Sequence, residues 1–149
     1  IFSSRFFYIE NINPFRVASS LARVETGLNA VAIISKNPIF GVGFNAYRYA
    51  QYDYGFRTPQ TTYPNHADSG TDNSYLFVFA TSGIIGLLAY GYLLWSIYRM
   101  GETKLHSPYR AVLLASLVGL MVDSLFINSL FYPLIMYWLW VLGGLTDYT

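Results

Sequence analysis

The sequence predicts an all-α, polytopic membrane protein fragment, in which an external amphipathic helix and a long loop precede two or three transmembrane helices. Of its 149 residues, 54% are hydrophobic and only 11% are charged, whereas about a quarter of a soluble domain is charged. Charged residues are absent from 74–98 and from 124–146. Both stretches are long enough for the roughly 20 apolar residues that cross a hydrocarbon core as a helix.

Residues 1–73 are predicted to form an extracytoplasmic segment. Asn13-Pro14 is typical of a helix start and Asn37-Pro38 of a helix end, which predicts an amphipathic helix over about 14–36. A turn over 37–47 and a tyrosine-rich loop over 48–73 follow. The apolar stripe of the helix recurs at spacings of four and three and consists of Val17, Leu21, Val24, Leu28 and Val31.

Residues 74–149 are predicted to contain transmembrane helices over about 74–98, 110–127 and 131–145. The last two are short, so a hairpin of thin or tilted helices competes with one long, broken helix, and the hairpin is favoured. The loop 99–110 holds Arg99, Lys104 and Arg110 against Glu102. An excess of Lys and Arg marks cytoplasmic loops, so residues 1–73 are expected outside.

Several classes of function and site receive no support from the sequence. The net charge of +1 does not suggest a nucleic-acid partner, and the lack of cysteine removes thiol nucleophiles and cysteine metal sites. Gly41-Val-Gly43 lacks the third glycine of a dinucleotide fingerprint and is interpreted as a turn. Asp123, inside the second predicted span, would be costly in lipid and is expected to face a partner helix or water.

The chain starts with Ile1, and its first residues do not have the pattern of a signal peptide. We therefore interpret it as the C-terminal part of a longer protein. Three segments, 19–47, 71–95 and 136–145, resemble in this order the C-terminal part of the O-antigen ligase and polymerase superfamily of bacterial membrane glycosyltransferases. The residues in the positions of the family's pattern are Arg23, Asn37-Pro38, Gly41, Gly43, Asn73, Leu76, Gly83 and Gly86.

The resemblance implies transfer of a glycan from a polyprenyl-diphosphate-linked oligosaccharide to a hydroxyl of a glycan, lipid or protein acceptor. It implies an integral protein of the bacterial cytoplasmic membrane, in contact with membrane lipid and with its active site on the outer face. Neither a cofactor nor a metal is expected, because arginines supply the positive charge.

The same resemblance assigns roles to individual residues. Arg23, with Arg16 on the same helix face, would bind the diphosphate, which a guanidinium fork suits. Asp72 stands where the family has a histidine, so either Asp72 or His66 would be the general base for the acceptor hydroxyl. The remaining substrate-binding candidates are Gly41, Gly43 and Asn73.

Other interpretations of these residues stay open at this point. Arg23 could be a salt-bridged helix residue paired with Glu25 or another acid, and Asp72 could simply cap the following helix. At the level of function, the alternatives are a transporter or channel segment with a polar path past Asp123, and a non-catalytic membrane protein with a carbohydrate-binding external loop.

Overall fold

The computed structural model describes residues 14–57 and 70–148, and it describes the side chains of the first range from Arg23 onwards. These residues form five α-helices and no strand. The helices are α1 (Pro14–Lys36), α2 (Tyr47–Asp53), α3 (Ser74–Thr103), α4 (Arg110–Asp123) and α5 (Pro133–Tyr148). A short 3₁₀ turn, Ser129–Phe131, lies between α4 and α5.

Several helix limits differ from those expected. The segment 48–73 does not start as an irregular loop, because α2 continues to Asp53. Helix α3 runs on to Thr103 instead of ending near 98. Helix α4 ends at Asp123 instead of 127, and α5 begins at Pro133 rather than 131. Proline suits the first turn of a helix, where its missing N–H has no intrahelical acceptor.

Helices α3, α4 and α5 form a bundle. At one end, the Arg110 Nε donates to the carbonyl of Gly101 at 2.9 Å and the Lys104 Nζ to that of Asp147 at 2.6 Å. At the other end, the amide of Ser74 donates to the carbonyl of Ser124 at 3.0 Å. Residues 110–148 therefore form a helical hairpin, and its core with α3 comprises Leu94, Ile97, Leu113, Leu117, Leu130, Leu139 and Leu142.

Among the described residues, one helix is long and apolar enough to cross a membrane, namely α3 with 30 residues. Helices α4 and α5 have 14 and 16 residues. At 1.5 Å per residue they are about 21 and 24 Å long, shorter than the roughly 30 Å of a hydrocarbon core. The helices in the second and third predicted spans thus pack against α3, but their crossing of the bilayer stays a prediction.

Helix α1 packs along the first part of α3 through a face that the apolar stripe does not include. Its buried apolar residues, among the described side chains, are Ala30, Ile33 and Ile34, which share a core with Phe77 and Ala80 of α3. The described part of the stripe points away from α3, with Val24, Leu28 and Val31 exposed by 60, 65 and 52%. The periodicity of apolar residues correctly indicated one apolar face of α1, but a different face packs against α3. That face contains Ala30, whose small side chain allows the two helices to approach closely.

Helix α3 is interrupted at Gly83, whose φ of 65° and ψ of −166° are not helical. A break leaves backbone carbonyls without their usual amide partners. The turn after α1 supplies those partners, since the amides of Val42 and Gly43 donate to the carbonyls of Ala80 and Thr81 at 2.9 and 2.8 Å. In return, the amide of Ile84 donates to the carbonyl of Pro38 at 2.9 Å.

Two glycines allow this backbone-to-backbone contact. Gly41 and Gly83 both have positive φ, 67° and 65°, which side chains with a Cβ adopt only with strain. A Cβ on Gly41 would collide with the backbone of Thr81–Gly83, and a Cβ on Gly83 would collide with the backbone of Ile39 and Phe40. The turn therefore fixes the C-terminal end of α1 against α3. This contact determines the position of Arg23 relative to the start of α3.

Candidate active site

The site begins with an ion pair between two segments that are distant in sequence. Arg23 lies on α1, and Asp72 lies just before the first residue of α3. The Arg23 Nε is 3.5 Å from the Asp72 Oδ2, and the two side chains are 53 and 55% exposed. Of the partners considered for Arg23, the structure thus selects Asp72 rather than Glu25.

Asn73 holds the chain beside Asp72. Its side-chain oxygen accepts a hydrogen bond from the amide of Leu76 at 2.9 Å, which makes Asn73 the N-cap of α3. Its side-chain amide donates to the carbonyl of Leu125 at 3.0 Å. Because Asn73 is the cap, the interpretation of Asp72 as a cap is wrong, and the Asp72 carboxylate faces Arg23 and solvent.

The end of α4 supports the same region. The Ser74 hydroxyl donates to the carbonyl of Ile127 at 3.3 Å, and the Tyr75 hydroxyl donates to that of Met121 at 3.0 Å. Together with Asn73, these side chains tie the start of α3 to the last turn of α4 and to the segment that follows it. The backbone that carries Asp72 is thereby anchored on a second helix.

Asp123 is the last residue of α4 and lies near this end of the bundle, whereas the helix was expected to continue to 127. Its exposed side chain agrees with the expectation that it faces a partner helix or water. Its carboxylate accepts a hydrogen bond from the Ser129 hydroxyl. Sequence periodicity continued the helix to 127 and so missed that the backbone just after Asp123 contacts the start of α3, where the Ser74 amide donates to the carbonyl of Ser124.

Gly41 and Gly43, predicted to bind substrate, belong to the turn that closes the α3 break. Their amides are occupied within the protein, by the carbonyls of Asn37 at 3.1 Å and Thr81 at 2.8 Å. This contact assigns them a backbone role, and any role in substrate binding stays a prediction.

Two of the predicted site residues fall outside what the structure describes. His66 lies in the undescribed range 58–69, and the side chain of Arg16 lies in the part of α1 that precedes Arg23. Within 14–57 and 70–148, no group of three His, Cys, Asp or Glu side chains is placed to hold a metal ion.

The geometry defines what chemistry this site can support. A guanidinium stays protonated and can accept a second anionic partner through its planar fork. A carboxylate beside it can accept a proton from a bound hydroxyl. Because both side chains are about half exposed, a diphosphate could replace Asp72 on Arg23 without a large desolvation penalty.

Comparison with known proteins agrees with these features. The sequence profile of a family described as O-antigen ligase matches residues 1–91, which include both members of the ion pair and the break in α3. No curated protein and no solved structure shows a significant match to the chain.

Proposed function

Because the chain belongs to the O-antigen ligase family, we propose that it is part of a membrane glycosyltransferase that uses a polyprenyl-diphosphate-linked glycan as donor. The acceptor is a hydroxyl group on a glycan, a lipid or a protein. The reaction takes place at the outer face of the bacterial cytoplasmic membrane. The observation that carries this proposal is the 3.5 Å contact between Arg23 and Asp72.

In the proposed reaction, the acceptor oxygen attacks the anomeric carbon of the donor sugar. Asp72 takes the proton of the acceptor hydroxyl as the new C–O bond forms. The bond between the anomeric carbon and the diphosphate oxygen breaks, and its electron pair leaves with the diphosphate. Arg23, assisted by Arg16, neutralises the charge that develops on this leaving group.

The ion pair has a second consequence for the order of events. In the free protein the Arg23 guanidinium and the Asp72 carboxylate are paired with each other. Binding of the diphosphate to Arg23 releases Asp72 from this contact. The donor therefore frees the carboxylate for the acceptor hydroxyl, and acceptor deprotonation follows donor binding.

Two observations favour a transferase over a transporter. The transporter alternative depended on Asp123 as an ionisable group in the interior of a helix, and Asp123 is instead the last residue of α4, with an exposed side chain. The match to the O-antigen ligase family includes the region of Arg23 and Asp72 but ends before α4 begins. These features support a reaction site at the mouth of α3 rather than a path through the bundle.

The test is transfer by the full-length protein in detergent, from a defined polyprenyl-diphosphate-linked oligosaccharide to a hydroxyl acceptor. We expect Arg23→Gln and Asp72→Asn each to lower turnover by at least about 100-fold, the usual contribution of a positioned acid or base. The matched control is Lys104→Gln, which removes the exposed Lys104–Asp147 pair at the other end of the bundle and should leave turnover within about twofold of wild type. Normal turnover in both site variants, at normal protein levels, would exclude these roles.

His66 is the alternative base, and the same assay separates the two candidates. If Asp72 accepts the proton, His66→Gln retains most of the turnover and Asp72→Asn does not. The reverse pattern assigns the base to His66.

A further inference from the structure

We propose that the protein also carries a binding site for an anionic phospholipid next to Phe44. Arg48 binds the phosphate of the head group, and one acyl chain lies in an apolar cavity against α3. This site is separate from the Arg23–Asp72 pair, and the proposal does not depend on the transferase assignment.

The head-group part is a small polar pocket at the start of α2. Its volume is about 190 Å³, and its walls are Phe44, Asn45, Tyr47, Arg48 and Tyr49. Arg48 is half-buried, and in the ranges that the structure describes its side chain forms no ion pair or hydrogen bond. A guanidinium that is partly withdrawn from water is stabilised by an oxyanion that matches its fork.

The part of the site that would hold the acyl chain is an apolar cavity of about 320 Å³ against α3. Gly86 and Ala89 have little or no side chain, which leaves the space open, and Val78, Leu93 and Phe131 supply much of the apolar wall. This volume lies at the lower end of the range for small-molecule sites. It suits a segment of one hydrocarbon chain better than an oligosaccharide.

Phe44 joins the two cavities, because its ring lines both. The ring is held by neighbouring aromatics, with centroids 5.9 Å from Phe77 and 6.1 Å from Phe131, although 65% of Phe44 remains exposed. An apolar cavity and a pocket with a positive charge therefore meet at a single side chain. An amphiphile with a negative head group is the ligand that complements both.

The position in the fold identifies the amphiphile as a membrane lipid. The apolar cavity lies along α3, the helix long and apolar enough to cross a membrane. The polar pocket is formed by residues that precede and begin α2, outside that helix. A guanidinium beside a membrane helix can form charge-assisted hydrogen bonds to the phosphate of an anionic lipid, and Arg48 supplies that guanidinium here.

The experiment measures lipid binding to the full-length protein by native mass spectrometry, with phosphatidylglycerol, phosphatidylcholine and glycerol 1-phosphate as probes. We expect wild type to bind phosphatidylglycerol about tenfold more tightly than phosphatidylcholine, a difference of about 1.4 kcal/mol. Arg48→Gln should abolish this preference, and Arg48→Lys should retain part of it, because lysine keeps the charge without the fork. Ala89→Phe should fill the apolar cavity and weaken the binding of both phosphatidylglycerol and phosphatidylcholine at least tenfold.

Two variants control for charge and volume elsewhere on the protein. Arg99→Gln removes a cation near the opposite end of α3, and Ala115→Phe enlarges an exposed residue of α4; both should bind lipid as wild type does. A lipid preference that survives in Arg48→Gln, or equal effects of Ala89→Phe and Ala115→Phe, would overturn the proposal. Competition by glycerol 1-phosphate as strong as that by phosphatidylglycerol would also overturn it, since the site would then bind phosphate alone.

Discussion

The Nε of Arg23 on α1 lies 3.5 Å from the Oδ2 of Asp72 at the start of α3, in an ion pair whose side chains are each about half exposed. Exposed ion pairs contribute about 0–1 kcal/mol to stability. The pair is therefore a weak structural element, and a large functional effect of its loss cannot be attributed to unfolding.

An exchange of the two charges separates a structural from a chemical role of this pair. In the double variant Arg23→Asp with Asp72→Arg, the ion pair can form again, but the carboxylate and the guanidinium have changed places. We expect the free energy of unfolding to stay within about 1 kcal/mol of wild type, while glycan transfer stays at least about 100-fold lower. Recovery of wild-type transfer in the double variant would show that only the ion pair matters.

The contact between Gly41 and Gly83 predicts that neither glycine tolerates a side chain. Gly83→Ala and Gly41→Ala each place a Cβ against backbone atoms at positive φ, so we expect each to lower the free energy of unfolding by at least about 3 kcal/mol. Thermal unfolding in detergent measures this loss.

Gly91→Ala is the matched control for that experiment, because a Cβ at Gly91 meets no atom within 4 Å. In a helix interior, alanine is favoured over glycine by about 0.5–1 kcal/mol, so this variant should be neutral or slightly more stable. Equal destabilisation at Gly91 and Gly83 would show that the contact with the turn is not what constrains Gly83.

We predict that Asn73 positions the backbone beside Asp72 and does not itself contact substrate. Asn73→Ala removes the cap on Leu76 and the bond to Leu125, each contributing about 1 kcal/mol. Asn73→Asp retains the cap but loses the donor, so its loss of stability should be smaller than that of Asn73→Ala. Unfolding midpoints and transfer kinetics of both variants check this, and a raised KM at unchanged stability would instead indicate a substrate contact.

The burial of Tyr47 leads us to predict that the protein loses stability at alkaline pH. It is almost fully buried, and burial raises its pKa from 10.0 to about 12, although the charge of Arg57 offsets part of this effect. The folded state therefore keeps the phenolic proton between pH 10 and 12 while the unfolded state loses it. The contribution of Tyr47 to the free energy of unfolding should therefore be fully present below pH 10. It should fall by about 2–3 kcal/mol as the pH rises through 12.

The check is pH-dependent unfolding of wild type and Tyr47→Phe. The Tyr47 hydroxyl is buried and makes no hydrogen bond to the described residues, so phenylalanine should be tolerated at neutral pH and should remove this alkaline loss. Tyr132→Phe, at an exposed position, is the control and should leave the loss in place. An unchanged alkaline profile in Tyr47→Phe would refute the assignment.

Local chemistry was sufficient to predict several features of the chain. Asn37-Pro38 marks the end of α1 because a residue before proline is pushed out of the helical region. The charge-free run from 74 identifies α3, the apolar helix long enough to cross a membrane. The family pattern could be recognised because it consists of short motifs in order, and the match to residues 1–91 confirmed it.

Other features depend on partners that are distant in the sequence. Nothing local distinguishes Gly83 from Gly86 or Gly91 in an apolar run, yet only Gly83 breaks α3, because the amides of the 37–43 turn satisfy the carbonyls that the break exposes. The end of α4 at Asp123 could not be predicted for a similar reason, since the segment that follows is held by the first turn of α3.

Composition and residue order alone indicated a helical, apolar chain with the composition of a membrane protein, and they identified the charged groups available for chemistry. The ion pair between Arg23 and Asp72, the capping role of Asn73 and the exposure of the Val24–Leu28 face of α1 became apparent only from the packing of the helices. This difference arises because composition and periodicity reflect interactions between near neighbours in the sequence. Ion pairs and backbone hydrogen bonds between helices depend instead on how those helices pack.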